Sequence, residues 1–202
     1  MIAKTFYIPV KEESRYFIDG LLHKQYYVAN VKLSVPNQPS GLLAKALQIK
    51  PIEIITPEDP SFSIVIPKIA ANAKIISNVN PAIENEYLDA LKEGVAQAAG
   101  TAYPGEGGHI FLFAHSTDYF WNVSTYNAVF FLLSKLMNND EINIFYKNQR
   151  YLYKVIGKTV VDPSQVVYLT RKTNKEFLTL QTCWPPGTTL KRLLVFAKRV
   201  AE

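Results

Sequence analysis

From Pro51 onward the chain alternates short apolar runs with turn signals: Ile52–Ile55, Phe62–Ile66 and Lys74–Ile76, punctuated by Pro57, Pro60 and Pro67. Short runs of this kind, bounded by proline, read as strands, and their spacing predicts a β-barrel or a sandwich. Further strands are expected at Ile110–Ala114, Ile142–Tyr146, Tyr151–Val161, Val166–Leu169, Phe177–Thr182 and Arg192–Val200, with Lys147-Asn148-Gln149-Arg150 as a hairpin turn. Tyr26–Val35 reads as one more strand, ahead of a Pro36–Gly41 loop. Helical spacing is clear over Glu84–Ala99, where Leu88, Leu91, Val95 and Ala98 share a face and Gly100 supplies a stop. A second helical segment is predicted over Ala128–Met137. The class is therefore mainly β. Residues 1–50 are mixed and read as an N-terminal extension of edge elements ahead of one domain over 51–202.

At 202 residues, with 48% hydrophobic and 19% charged residues, the chain can bury a substantial single core. Its formal charge of +5 comes from Lys and Arg scattered along the sequence without a block, so no nucleic-acid partner is expected. The single cysteine excludes an intramolecular disulfide and any Cys-rich zinc site. No apolar stretch reaches the roughly 20 residues of a membrane span. Either the protein is cytoplasmic, or a membrane anchor lies outside this chain.

That cysteine, Cys183, ends the alternating run Phe177–Thr182 and precedes a turn, Trp184-Pro185-Pro186-Gly187. Arg192 then leads the apolar run Leu193–Ala197. A space-filling cysteine needs neither the turn nor the arginine. A nucleophile beside a guanidinium that can meet a developing oxyanion uses both. If Leu193 and Val195 face one side of their strand, Arg192 and Leu194 face the other, so Arg192 need not be simply solvated. Of the three histidines, His115 closes the run Ile110–Ala114 and belongs at a strand end, as an acid–base partner requires. His109, at the opposite end of that run, and His23 read as ordinary surface or hydrogen-bonded residues.

Thr179-Leu180-Gln181-Thr182-Cys183 resembles the TLxTC signature of sortases, the cysteine transpeptidases that attach proteins to cell walls. The likeness extends from about Ile64 to Val200. It takes in Gly94-Val95, Pro104-Gly105-Glu106, the strand ending in His115, Val160-Val161-Asp162-Pro163 and Arg192. It implies a sortase-type closed β-barrel of about eight strands with one or two short helices, and a catalytic domain over 51–202. It further implies His115, Cys183 and Arg192 as the catalytic set, acting on an LPxTG-like sorting-signal peptide cleaved between Thr and Gly. The acyl group would pass through a Cys183 thioester to an amine acceptor, such as the cell-wall precursor lipid II or a pilin lysine. Ala114, Leu180, Thr182 and Trp121 are the expected substrate-binding residues, with Leu180 and Thr182 also shaping the core beneath the site.

Two departures from the family pattern stand out. Ala114 occupies a position where many members carry glycine, and the stretch between His115 and Ile142 is about ten residues longer than usual. That stretch holds Tyr119, Phe120, Trp121 and Tyr126, either packed onto the barrel or forming an aromatic lip to the substrate groove. The segment Val166–Lys175 would close over the peptide. Some sortases bind calcium there through acidic residues, but Arg171, Lys172 and Lys175 are basic, and Glu176, Glu84 and Glu86 are the only nearby acids. No cofactor and no metal site, calcium included, are therefore expected. The resemblance implies a location at the extracellular face of the membrane, through an anchor outside this chain. A non-catalytic binding module of the same fold and a hydrolase using water as acceptor remain as alternatives, as do protein anchoring and pilus polymerisation within the family.

Overall fold

The computed structural model describes residues 2–29, 52–116 and 129–200. Among these residues twelve α-helices and β-strands follow in chain order: α1 (Ile2–Leu21), β1 (Gln25–Val28), β2 (Ile52–Ile55), β3 (Phe62–Ile66), β4 (Ala71–Val79), α2 (Glu84–Glu93), β5 (Val95–Ala98), β6 (His109–Phe113), β7 (Glu141–Tyr146), β8 (Gln149–Val161), β9 (Phe177–Trp184) and β10 (Lys191–Arg199). Eight of them close into a barrel in the order β10-β8-β7-β3-β4-β5-β6-β9, and β1 and β2 form a separate parallel pair. The fold is mainly β, as the strand-rich sequence predicted, with two α-helices among the described residues.

Two of the barrel's pairings are parallel, β4 with β5 and β6 with β9, and the rest are antiparallel. Parallel neighbours need a crossover, and antiparallel ones need only a tight turn. Lys147 and Asn148 make such a turn between β7 and β8, both with positive φ, 51° and 62°. The barrel interior follows from side-chain alternation. In register, Ile110 faces Leu178 and Leu112 faces Leu180, while Val195 lies opposite Leu180 and Ala197 opposite Leu178. All six are fully buried. On the other side of the barrel, Ile64, Ile142, Ile144 and Tyr153 are equally inaccessible.

The structure corrects four sequence-based expectations. The Glu84–Ala99 helix stops at Glu93, and Val95–Ala98 is strand β5, buried on both faces. A strand covered on both sides reads as a continuous apolar run, which periodicity cannot tell from buried helix. Gly94 marks the break: a Cβ there would collide with the Lys74 carbonyl, so only glycine lets β5 enter beside β4. The Ala128–Met137 helix reduces to turns and a 3₁₀ turn at Leu133–Lys135, and Val166–Leu169 is a 3₁₀ turn at Val166–Tyr168 instead of a strand. The Tyr26 strand ends at Val28, and the remainder of that expectation lies outside the described residues. Helix α1 was not anticipated. It docks through Arg15 Nη2, which donates to the Ile69 carbonyl at 2.9 Å, and through a Glu13–Lys135 ion pair of 3.1 Å.

Gly94→Ala should lower unfolding stability by about 1–3 kcal/mol, the usual cost of forcing a methyl group into an occupied site. Denaturant unfolding measures it, and an unchanged midpoint would disprove the tight β4–β5 contact.

Candidate active site

Alternation sends the residues that are not in the core to the outer face of the β6–β9–β10 sheet. His109, Phe111 and Phe113 on β6 stand beside Phe177, Thr179 and Gln181 on β9, whose next outward residue is Cys183. On β10, Arg192 lies directly opposite Cys183. Continuing the β6–β9 register by two residues beyond the Phe113–Gln181 pair brings His115 level with Cys183. Two hydrogen bonds carry the pairing past the end of β6. The Ala114 N–H donates to the Gln181 carbonyl at 3.1 Å, and the buried Thr182 hydroxyl donates to the Ala114 carbonyl at 2.9 Å.

This outer face is not bare. Phe111, Phe113, Thr179 and Leu194 are all buried, because α2 and the connection between β8 and β9 lie across the sheet. The space left between sheet and cover is a groove of about 490 Å³. Leu88 and Leu91 of α2 and Val166 and Leu169 of the connection line it, together with Phe111 and Phe113. His115, Cys183 and Arg192 share the same groove, and Ala114 and Thr182 contribute to its wall.

Burial pushes the Cys183 thiol above its ordinary pKa, and the Arg192 charge opposes that shift. Desolvation is the larger effect, so the resting group is the neutral thiol. The Arg192 guanidinium is held by its own loop: Nη1 donates to the carbonyls of Thr189 and Lys191 at 3.0 and 3.1 Å. Gly187, at φ 80°, allows the turn that brings this loop back from Cys183. An ion pair of 2.6 Å between Lys191 and Asp162 ties the loop to the start of the β8–β9 connection.

Several anticipated residues lie elsewhere. Leu180, expected to bind substrate, is fully buried and lines no part of the groove, since its place in the β9 alternation points it into the barrel. Trp121, with Tyr119, Phe120 and Tyr126, lies outside the described residues. His23 sits exposed after α1, with Nδ1 3.1 Å from the Leu21 carbonyl. His109 is buried at the far end of β6. Its Nε2 is 2.9 Å from Thr179 Oγ1, and burial together with the nearby Arg171 charge depresses its pKa to about 4.

The groove-lining residues Tyr87, Leu88, Leu91, Phe111, Phe113 and Gln181 were not anticipated as site residues. For the last three a signal existed. Phe111 and Phe113 share the period of two with His115, and Gln181 shares it with Cys183. Among the described residues, no group of three or more His, Cys, Asp or Glu is placed to hold a metal ion. The Glu176 carboxylate accepts from Tyr153 Oη and from the Gly105 N–H, and lies 3.8 Å from Arg199 Nε.

The family described as Sortase domain matches residues 64–200, a span that takes in the barrel from within β3 to the end of β10. The chain belongs to the sortase family. It is 28% identical over 177 residues to Sortase D of Bacillus subtilis (strain 168), covering 85% of this chain and 81% of that protein. Sortase C-1 from Actinomyces oris superposes with a TM-score of 0.60 at 26% identity, over 96% of this chain and 98% of that one. Sortase C of Clostridium perfringens, solved with the C-terminal cell wall sorting motif, gives 0.57 at 30% identity over 69% and 70%. The matched span agrees with the sequence resemblance, which ran from about Ile64 to Val200.

Two titrations test the electrostatics of this sortase. The rate of Cys183 alkylation should rise with an inflection above that of a free thiol, about 8.5, and Arg192→Gln should move it higher still by removing the opposing charge. An inflection below the free thiol, or a downward move in the variant, would refute this balance. His109 is neutral in the folded chain down to about 4, whereas an unfolded histidine takes a proton near 6.5. The unfolded state therefore binds the extra proton between those values, and stability should fall as pH drops from 6.5 towards 4. The full loss is on the order of 3 kcal/mol. Equilibrium unfolding across that window should lose this component in His109→Gln; an unchanged slope would contradict the buried neutral imidazole.

Proposed function

We propose that this sortase is a cysteine transpeptidase that cleaves an LPxTG-like sorting signal between Thr and Gly and passes the acyl group to an amine. The observation that carries the reading is the shared groove: Cys183 faces Arg192 across the β9–β10 pair, and His115 stands level with Cys183 in the β6–β9 register. The apolar walls suit an extended peptide with apolar side chains, and the related sortase C solved with a cell wall sorting motif supports a peptide partner of that class.

Cys183 sulfur, as thiolate, bonds to the Thr carbonyl carbon while Arg192 hydrogen-bonds the carbonyl oxygen as it gains charge. The C–N bond then breaks, and His115, as imidazolium, protonates the departing Gly amine. The acceptor amine attacks the thioester, His115 takes its proton, and the sulfur leaves as thiolate. Because burial raises the Cys183 pKa, the reactive thiolate–imidazolium pair is a minority of the resting protein. Lipid II and a pilin lysine both present the primary amine that this chemistry needs. Either would place the enzyme at the extracellular face of the membrane.

Mass spectrometry of the protein with LPxTG-type peptides, with and without an amine acceptor, tests the reading. The expected result is a thioester adduct that Cys183→Ala abolishes, and a ligated product when amine is present. Arg192→Ala should lower kcat about 10²–10³-fold, the usual loss for one oxyanion donor. Cleavage without ligation would favour a hydrolase, and the absence of any adduct across a peptide library would favour a binding module.

A further inference from the structure

The connection between β8 and β9 runs from residue 162 to 176 and contains one 3₁₀ turn. Connections of such length without regular structure are uncommon unless they carry function. This one supplies Val166 and Leu169 to the groove, so its position sets the width of the peptide-facing wall. Its ends are fastened: Asp162 pairs with Lys191, and the Phe177 N–H donates to the Gly108 carbonyl at 2.9 Å. The middle lacks a strand partner and must be held by side chains.

Arg171 occupies that middle position. Its guanidinium carbon lies 5.4 Å from the Tyr168 ring centroid, 5.0 Å from Phe177 and 5.3 Å from Phe196. The rings pack on one another as well: Tyr168 is stacked on Phe196 at 5.8 Å, and Phe177 lies tilted against Phe196 at 5.9 Å. Tyr168 belongs to the connection, whereas Phe177 and Phe196 stand on the outer face of β9 and β10. The cation therefore bridges cover and sheet. Among the described residues no carboxylate forms an ion pair with Arg171, so these ring faces are its principal partners. Beneath them His109 faces the backbone of Leu169 and Arg171 and lies tilted against the Phe177 ring, with centroids 5.9 Å apart. Lys172 and Lys175, the other basic residues of the segment, are exposed.

We propose that Arg171 is a positioning residue for the groove: caged by Tyr168, Phe177 and Phe196, it holds the β8–β9 connection down so that Val166 and Leu169 form the peptide-facing wall. The assignment of that wall to a peptide rests on the transpeptidase reading above; the clamp itself does not. Arginine suits the role because a planar cation is attracted to ring faces while its edge stays in water. A leucine there would cover the rings without that attraction.

Hydrogen exchange tests the clamp without any substrate. In Arg171→Met, which keeps the apolar stem, amides of residues 164–175 should exchange about tenfold faster, the scale expected for losing cation–π contacts of this kind, while β9 and β10 stay protected. Arg171→Lys should restore part of the protection. Tyr168→Leu removes a ring from the other side, and its effect should not add fully to that of Arg171→Met. With a sorting peptide, Arg171→Met should raise KM about tenfold and change kcat less than twofold. Unchanged exchange in Arg171→Met and Tyr168→Leu overturns the clamp. Faster exchange with unchanged KM overturns its part in shaping the peptide wall. If the wild-type protein turns over no peptide, the transpeptidase reading fails and exchange alone decides the clamp.

Discussion

The parallel pairing of β6 with β9 is the contact on which the rest depends. Five register pairs, from His109–Phe177 to Phe113–Gln181, join segments far apart in sequence. One face of the pair places Ile110, Leu112, Leu178 and Leu180 in the core; the other points Phe111, Phe113, Gln181 and Cys183 into the groove. Because side chains alternate with a period of two, a slip of one residue would bury Cys183 and expose Leu180. The apolar rungs thus fix the position of the thiol. The Thr182 hydroxyl extends the pairing past the strand end by bonding the Ala114 carbonyl, leaving neither group unpaired in a buried place.

A sheet that buries both faces must be covered, and here the cover supplies the groove. α2 fills the crossover that the parallel β4–β5 pair requires, and the β8–β9 connection lies over the other side. Each is restrained at its ends by polar contacts and along its length by apolar ones. Gly94 lets α2 pass into β5 against the Lys74 carbonyl, while Lys191–Asp162 and the Arg171 cage hold the connection. At the far end of the barrel, Glu176 joins the Gly105 backbone, Tyr153 and Arg199. That cluster fixes the loop entering β6, and through it the strand that leads to His115.

Much of this was legible in sequence where side-chain period and burial agree. β2 and β3 matched their predicted bounds, and the alternation of Leu193 and Val195 against Arg192 and Leu194 anticipated which side of β10 Arg192 takes. What failed did so for identifiable reasons. β5 is covered on both faces, so in its Val95-Ala96-Gln97-Ala98 run even the polar Gln97 is buried, and one polar position in four residues does not distinguish strand from helix. Val166, Val167 and Leu169 have strand-like composition, but the first two are exposed on the turn, a tertiary outcome that local propensity does not encode. Leu180 was read with its neighbours as part of the site, although its own parity sends it inward. The groove walls from α2 were missed because a helix is assigned to a site only by what it packs on, and that partner is another part of the chain.

The site's reactivity follows from the same packing. A thiol on an open sheet face would ionise near its ordinary pKa and react with any electrophile. Here the cover removes water from Cys183, and burial disfavours the thiolate more than Arg192 favours it. Meanwhile Arg192 Nη1 is occupied by the carbonyls of Thr189 and Lys191, which develop no extra charge as a reaction proceeds. In the proposed transpeptidation an acyl carbonyl entering the groove would develop charge, so its oxygen would gain on those fixed acceptors as the C–S bond forms. Arg192 would then interact more strongly with the reacting state than with the resting one, which is the differential binding that acceleration requires. On that proposal the low reactivity of the resting thiol and the stabilisation of the oxyanion would have one origin, the desolvated groove between the sheet and its cover.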